Sequence, residues 1–460
     1  MELFGTAGIR GPVTDVTPEL ALTVGRAIGI DAREASGEVV LARDGRETGV
    51  AMAAAAEAGI TSAGADVRRA GQLPTPALAY ASRGRHGMML TASHNPPADN
   101  GIKLFEDGRE YDREGERRLE GRVADGVDAT EWSDWGQTER IDPLEAYREA
   151  VCSYAQRVTP PASHDDTSED THDIQVAVDC GTGMASLAVP QVLSRLGVDV
   201  VALHATVDGR FTARESKPTP ESLSDLRAFV ADGPATFGLG HDGDADRIVV
   251  VDGDGEVVHE DTVLAILAEH YTRTSEAIDP VVVTTPNASG RIDERVREAG
   301  GRVERVRLGA LHEGSTDARA NGSDDTEVVF AAEPWKHVHP GLGEWIDSVA
   351  SAAVFTRLVA AVGLDALREP VTERPYRKVS VECPDERKSA AMETLTEALP
   401  DAFPEASVDT EYGIRLELPD GSWTLVRPSG TEQYVRIYAE SDAVDELVAD
   451  VREHVQAAIE

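Results

Sequence analysis

One pattern, met three times along 460 residues, sets the strongest limit on how this chain can fold. A short β-branched run leads into a polar or glycine-containing loop, then a helical stretch, a glycine and a second strand. The first copy runs from Val39-Val40-Leu41 through residues 51–58 to Gly64-Ala65-Asp66-Val67. The second runs from Val176-Ala177-Val178 through 185–196 to Gly197-Val198-Asp199-Val200, and the third from Val281-Val282-Val283 through 292–299 to Gly300-Gly301-Arg302-Val303. Strand–helix–strand units of this length favour α/β domains. Three copies predict three similarly built domains in tandem.

Two breaks punctuate the chain. Residues 159–173 are rich in Pro, Ser, Thr and Asp and read as an exposed linker. The second break is Arg368-Glu369-Pro370, after which the pattern changes. Strands are expected at 378–382, 414–418, 424–426 and 434–439, with helices at 386–399 and from 443, a smaller α+β unit. The expected domains are therefore 1–150, 151–253, 254–368 and 369–460. Hydrophobic residues make up 41% of the chain, enough for sizeable cores, and alanine and valine supply much of that surface.

The charge balance excludes one class of partner. Lys and Arg number 44 against 83 Asp and Glu, a net of −39, so the chain as a whole repels nucleic acid backbones. The acidic residues are spread rather than gathered in a tail, which predicts a solvated surface tuned to high salt, as in a halophile. Full stability in salt-free buffer would contradict that expectation. The start MELFGTAGIR has no basic region followed by an apolar run, and no stretch of membrane-spanning length lacks charge. A cytoplasmic protein without membrane attachment is expected. Cys152, Cys180 and Cys383 are far apart and read as small buried hydrophobes, not a zinc site or a disulfide framework.

In so acidic a chain, clustered cations and ordered acidic loops carry information. The loop Asp242-Gly243-Asp244-Ala245-Asp246-Arg247 places three carboxylates at alternate positions, able to converge on one hard cation. An EF-hand is excluded because position 6 is Arg247 and position 12 is Gly253. A solvated acidic turn is the plain alternative; Asp252-Gly253-Asp254-Gly255, between two valine runs, reads as a hairpin turn. The segment Thr91-Ala92-Ser93-His94-Asn95-Pro96-Pro97 follows the apolar Met88-Met89-Leu90, and Lys103 comes ten residues after Ser93. A serine needs a base or cation to become a nucleophile, and alone this segment reads sooner as a capping loop than as a catalytic one. Arg427-Pro428-Ser429-Gly430-Thr431-Glu432, with Arg436 beyond it, combines hydroxyls, close backbone amides and an arginine suited to phosphate, although a plain β-turn would look similar. Gly5-Thr6-Ala7-Gly8-Ile9-Arg10-Gly11 adds a glycine-rich loop with a cation.

Taken together, FGTAGIRG, TASHNPP, DNGIK, DGDADR and RPSGTE, in this order over almost the whole chain, resemble the α-D-phosphohexomutase family, which includes phosphoglucomutases, phosphomannomutases and phosphoglucosamine mutases. The resemblance implies four domains, three alike, around a central cleft. It implies a phosphoryl group on Ser93, with Asp242, Asp244, Asp246 and that serine holding Mg²⁺. Arg10, His94, Lys103 and Arg247 would position charge, with Lys103 the candidate for proton transfer. Arg427, Ser429, Gly430, Thr431 and Arg436 would grip the substrate's other phosphate. The implied reaction interconverts hexose or hexosamine 6- and 1-phosphates through a sugar 1,6-bisphosphate that stays bound.

Two segments depart from the family pattern: the usual Thr-x-Val-Gly-Asp is blurred to Val306-Arg307-Leu308-Gly309-Ala310, and the sugar-contacting segment is changed more deeply. Where Gly-Glu-x-Ser-Gly-His is usual, the chain has Ala332-Glu333-Pro334-Trp335-Lys336-His337. Glu333 and His337 keep their places, Glu333 as a substrate-binding candidate and His337 as a catalytic one, with His339 the alternative histidine. Trp335 and Lys336 replace the Ser and the second Gly. The opening FGTAGIRG is closest in style to phosphoglucosamine mutases, with phosphomannomutase or phosphoglucomutase activity of broad specificity as the alternative. A metal-dependent serine phosphatase and a sugar-phosphate-binding protein are the readings from other classes. The expected partner is a small phosphosugar, and the expected assembly a monomer or homodimer.

Overall fold

The computed structural model describes residues 3–5, 8–159, 174–429 and 432–459. Of the expected linker only Thr159 is described; it is buried at the end of the helix Leu144–Val158 rather than exposed. Two compact units divide the chain: Met1–Val263 with Val329–Leu367, and Leu264–Val328 with Arg368–Glu460.

The strands fall into four sheets. The first contains β1 (Ile9–Pro12), β2 (Glu38–Arg43), β3 (Asp66–Gln72), β4 (His86–Leu90), β5 (Asp99–Glu106), β6 (Arg109–Glu110) and β7 (Thr138–Arg140). Its order is β1-β5-β4-β2-β3-β7, with β6 on β5. Strand β2 lies parallel to β3 and β4, and β4 antiparallel to β5. The second contains β8 (Gln175–Asp179), β9 (Asp199–Leu203), β10 (Phe237–His241) and β11 (Ile248–Val251), in the order β11-β10-β8-β9. Here β8 is parallel to β9 and β10, and β10 antiparallel to β11. The third contains β12 (Asp279–Thr284), β13 (Arg302–Arg305), β14 (Thr326–Glu333) and β15 (Lys336–Val338), in the order β13-β12-β14-β15. Its β12 is parallel to β13, and β14 antiparallel to β15. Once β1, β6 and β7 are set aside, the three sheets share one strand order. The sequence repeat is a fold repeat.

Physical reasons for these elements are local. Val39, Val40 and Leu41 are covered on both faces, as central parallel strands require, and so are Val281, Val282 and Val283. The helix Pro18–Glu34 starts with Thr17 accepting from Leu20 N and a proline in its first turn. It packs against the helix Gly49–Ser62 closely enough that a Cβ on Gly59 would lie 2.2 Å from Leu22 O. Small residues make this contact, which is why an alanine-rich, aromatic-poor chain still closes a core. The helix expected at 185–196 is broken into a 3₁₀ turn, Met184–Leu187, and a helix, Val189–Arg195, whose first turn carries Pro190.

The fourth sheet is fully antiparallel: β16 (Tyr376–Glu382), β17 (Ser407–Asp409), β18 (Ile414–Glu417), β19 (Trp423–Pro428) and β20 (Tyr434–Glu440), in the order β16-β20-β19-β18-β17. The helices Asp385–Ala402 and Val444–Ile459 belong to the same α+β unit, with Leu395, Leu399, Val435, Ile437 and Val451 in its core. The three exposed residues of β17 were not anticipated. Residues 252–255 do turn as a hairpin, with Asp252 N donating to Glu256 O at 2.8 Å. No helix among the described residues is long and apolar enough to cross a membrane.

Candidate active site

The strand-order repeat places three turns equivalently, each between a copy's third strand and its antiparallel neighbour. Ser93 lies between β4 and β5, the aspartates between β10 and β11, and Pro334-Trp335 between β14 and β15.

Ser93 is fully buried and sits in the left-handed region, with φ 50°. Its backbone N–H donates to Thr91 Oγ1 at 2.8 Å, and the Thr91 hydroxyl donates to Asp44 Oδ2 at 2.8 Å. Arg46, itself 2% exposed, pairs with Asp44 and donates to the carbonyls of Ser93 (3.0 Å), Asn95 (2.7 Å), Pro96 (2.5 Å) and Asp99 (3.0 Å). One guanidinium thus fixes the loop at four carbonyls, which over-determines a strained serine backbone. The Ser93 hydroxyl donates to Asp242 Oδ2 at 2.8 Å and lies 3.3 Å from His94 Nδ1.

Asp242, Asp244 and Asp246 are buried, with oxygens within 4.8 Å of one another. Asp242 Oδ1 accepts from the backbone N–H groups of Asp246 and Arg247, each at 3.2 Å. Thr75 donates to Asp244 Oδ2 at 2.6 Å and Lys103 to Asp246 Oδ2 at 2.6 Å. The other oxygens, Asp244 Oδ1 and Asp246 Oδ1, are buried without a hydrogen-bond partner among the described residues. Orphaned carboxylate oxygens are costly, and an all-oxygen donor set fits a hard divalent cation. The loop can fold this tightly because position 243 is glycine: a Cβ there would lie 2.7 Å from Ser216 Oγ and 3.0 Å from Ser93 O. Ser216 bridges the two loops, donating to Ser93 O and accepting from Gly243 N, both at 3.0 Å.

The electrostatics are divided. Burial and the two neighbouring carboxylates push Asp242 well above the usual carboxylate range. Burial also opposes charge on Asp246, but Lys103, Lys336 and Arg247 outweigh it and hold that carboxyl well below the usual range. Burial alone would lower the Lys103 ammonium; Asp244, Asp246 and Glu110 reverse this and hold it charged. His94 is pushed down to about 2, by burial first and then by Arg247 and Arg10, so the ring is neutral. Arg247 stands 3.9 Å from Asp242 and 3.8 Å from Asp246. Arg10 lies in β1 opposite Gly101 of β5, and its Nε and Nη2 are buried without hydrogen-bond partners among the described residues.

Three comparisons decide what kind of protein carries this arrangement. Residues 1–129 match phosphoglucomutase/phosphomannomutase α/β/α domain I, residues 153–255 match α/β/α domain II, and residues 379–458 match the C-terminal domain of the same family. A Thermococcus kodakarensis protein named phosphopentomutase is 38% identical over 96% of this chain and 94% of its own length. A probable phosphoglucosamine mutase of Methanopyrus kandleri is 37% identical over 98% of this chain and 96% of its own. The chain belongs to the phosphoglucomutase/phosphomannomutase family. A crystal structure of a family protein from Burkholderia thailandensis shares 25% identity and superposes with a TM-score of 0.83, over 99% of this chain and 97% of the other. The protein is accordingly a phosphosugar mutase, an isomerase with a multi-domain α/β fold.

The remaining expected residues of the mutase are less uniformly placed. Glu333 pairs with Lys336 across the two-residue turn between β14 and β15, where Trp335 has φ 71°. Lys336 Nζ lies 3.6 Å from Asp246 Oδ2. His337 is 1% exposed, and its Nδ1 meets Ser351 Oγ at 3.0 Å, in the core rather than against Ser93. His339 Nε2 meets the same hydroxyl at 2.9 Å, so both histidines are buried on one serine. In the other unit, Arg427 and Arg436 face each other on β19 and β20, and each has a buried Nε without a hydrogen-bond partner among the described residues. Arg427 stacks on Tyr438 at 5.7 Å and Lys378 on the same ring at 5.6 Å. Ser429 is buried and accepts from Glu432 N at 3.2 Å; Gly430 and Thr431 lie outside the described residues. Sequence reasoning missed Arg46, Thr75 and Ser216, none of which stands in a loop that composition marks; Thr91 stood in the serine segment without a role of its own.

Proposed function

We propose that this mutase interconverts the 6-phosphate and 1-phosphate of a hexosamine through a phosphoserine at Ser93 and a sugar 1,6-bisphosphate. The observation that carries the reading is the 2.8 Å hydrogen bond from Ser93 Oγ to Asp242 in a buried cluster of three carboxylates. Mg²⁺, held by Asp242, Asp244, Asp246 and the phosphoserine, would neutralise charge on the transferring phosphoryl group. Arg247 and Arg10 bring further positive charge to that group; the orphaned donors of Arg10 fit an anion. When the sugar hydroxyl bonds to phosphorus, the bond from phosphorus to Ser93 Oγ breaks, and the hydroxyl proton ends on Ser93. Neutral His94, 3.3 Å from Oγ, is placed to pass it. Lys103, expected as the proton-transfer group, we assign to charge balance, because its carboxylate neighbours keep it charged.

The reading assigns the serine loop to a domain of residues 1–150, the metal loop to 151–253, the sugar loop to 254–368 and the phosphate loop to 369–460. Arg427, Ser429, Gly430, Thr431 and Arg436 would hold the phosphate that is not reacting, with Glu333 toward the sugar. His337 would support the sugar loop from the core. The setting is a high-salt cytoplasm, consistent with the net charge of −39.

A pentose phosphate is the second reading. The relative named phosphopentomutase favours it, as does the Trp335-Lys336 departure in the sugar loop. One coupled assay tests both: glucosamine, N-acetylglucosamine, glucose, mannose and ribose phosphates at high salt, with and without Mg²⁺. Turnover is expected with a hexosamine phosphate, only with Mg²⁺, and lost in Ser93→Ala by at least about 10³-fold. Unchanged turnover in Ser93→Ala would remove the mechanism, and inorganic phosphate released at the mutase rate would make the protein a phosphatase.

A further inference from the structure

Lys336 occupies a position that neither the family pattern nor the expected site includes. We propose that its ammonium is a fourth cation of the catalytic site and donates hydrogen bonds to the phosphoryl group in transfer at Ser93. The inference rests on the assignment of Ser93 as the phosphoryl carrier.

Three observations carry it. First, side chains alternate faces along a strand. His337 turns inward to Ser351 at 3.0 Å, so Lys336, its neighbour on β15, is delivered to the other face, toward the aspartates. Second, the ammonium is desolvated and under-used. The Lys336 side chain is 9% exposed, and its one ion pair among the described residues is with Asp246 Oδ2 at 3.6 Å, beyond hydrogen-bond distance. That oxygen already accepts from Lys103 at 2.6 Å. An ammonium carries three donors, and burying them without an acceptor is costly, so the geometry fits an anion that arrives. Third, the charges accommodate one. Arg10, Lys103, Arg247 and Lys336 bring four positive charges to four carboxylates, Asp242, Asp244, Asp246 and Glu110. A phosphoryl group and a divalent cation add charges of opposite sign and similar size, so the balance holds when both bind and Lys336 can exchange its long contact with Asp246 for the phosphoryl oxygens.

The placement is also built in. The turn has only two residues, Pro334 and Trp335, between Glu333 and Lys336. Trp335 has φ 71° at the third position of the turn, as in a type II turn with proline second, and packs against the core of the second sheet. Its ring lies 5.8 Å from the Arg247 guanidinium. The tryptophan anchors the turn, and the lysine that follows is aimed by it.

The test uses the full chain with Ser93 phosphorylated, as parent, Lys336→Met and Lys336→Arg, phosphate content being read by intact mass. Transfer from phosphoserine to a sugar phosphate is followed in a single turnover, and inhibition by inorganic phosphate is measured alongside. Lys336→Met is expected to slow transfer by roughly 10- to 100-fold with KM changed less than about threefold, because the lost contact belongs to the transition state. Its inhibition by inorganic phosphate should weaken in parallel, and Lys336→Arg should recover most of the rate. Transfer within about twofold of the parent in Lys336→Met would overturn the proposal while leaving the phosphoserine mechanism intact. If Lys336→Met does not fold, a Lys336→Arg chain that is folded but transfers no faster than ~1% of the parent overturns it equally. Failure of the parent itself to carry phosphate on Ser93 would instead sink the underlying reading.

Discussion

At the scale of the residue, Arg46 shows how much of a catalytic site can rest on a side chain that does no chemistry. It is paired with Asp44 at 3.1 Å and tied to four carbonyls of the serine loop. Removing one member of a buried pair leaves an uncompensated charge and costs roughly 3–5 kcal/mol. Arg46→Met should therefore lower unfolding free energy by about that amount in urea titrations, and lower kcat more than KM, because the strained Ser93 backbone relaxes. A variant with parent stability would show that the four carbonyls find other partners. Nothing in the sequence announces Arg46. It lies about fifty residues from the carbonyls it holds, and a lone arginine after a strand has no pattern to read. Ser93 and the aspartates were legible for the opposite reason: their loops concentrate residue types whose spacing is itself chemical.

At the scale of the element, the strand β15 and the helix Ser348–Val362 show what the sequence does not reveal about a side chain's surroundings. His337 on β15 and His339 just beyond it were the alternative candidates for the functional histidine, and both meet the Ser351 hydroxyl on that helix. Two residues decided this, because a two-residue turn fixes which face each side chain takes, and turn length is not visible in an irregular motif. The consequence is a pH dependence. Burial lowers His337 to about 3, and His339 also falls well below its ordinary value, through burial first and His337 second. In the unfolded chain both titrate near pH 6.5. The unfolded state thus binds more protons below that pH, and stability is lost as pH falls from about 6.5 toward the depressed folded values. Each histidine should remove about 1.4 kcal/mol per pH unit in that window. Urea titrations between roughly pH 7 and 5 should show this slope, and a His337→Asn/His339→Asn double variant should flatten it. An equal slope in both proteins would mean the histidines are not the groups that titrate. Strand positions, by contrast, were read to within a few residues wherever a β-branched run was buried on both faces. The exposed β17 escaped because it has no such run.

For the whole molecule, the net charge of −39 governs behaviour that no single contact does. Self-repulsion of exposed carboxylates weakens as the screening length contracts from ~10 Å at 0.1 M salt to ~3 Å at 1 M. The thermal unfolding midpoint should therefore climb steadily with KCl, with Mg²⁺ held constant so that site occupancy does not contribute. A midpoint that stays level from ~0.1 to ~2 M KCl would contradict the inferred high-salt setting. Composition made this legible at once, because charge is additive. The identity of the sugar was not legible for the converse reason: it depends on a few polar groups at one turn, and there the chain departs from its relatives' usual pattern.

The three equivalent turns differ in length: eight residues separate β4 from β5, six separate β10 from β11, and two separate β14 from β15. Reach is therefore divided between main chain and side chain. Where the loop is long, a short serine or aspartate suffices; where the backbone turns back at once, a four-carbon stem makes up the distance. Each turn hangs from its own strand pair, so the three are separate sockets in one repeating frame. A designer could lengthen the third socket and shorten its lysine while leaving the register of the other two sheets untouched.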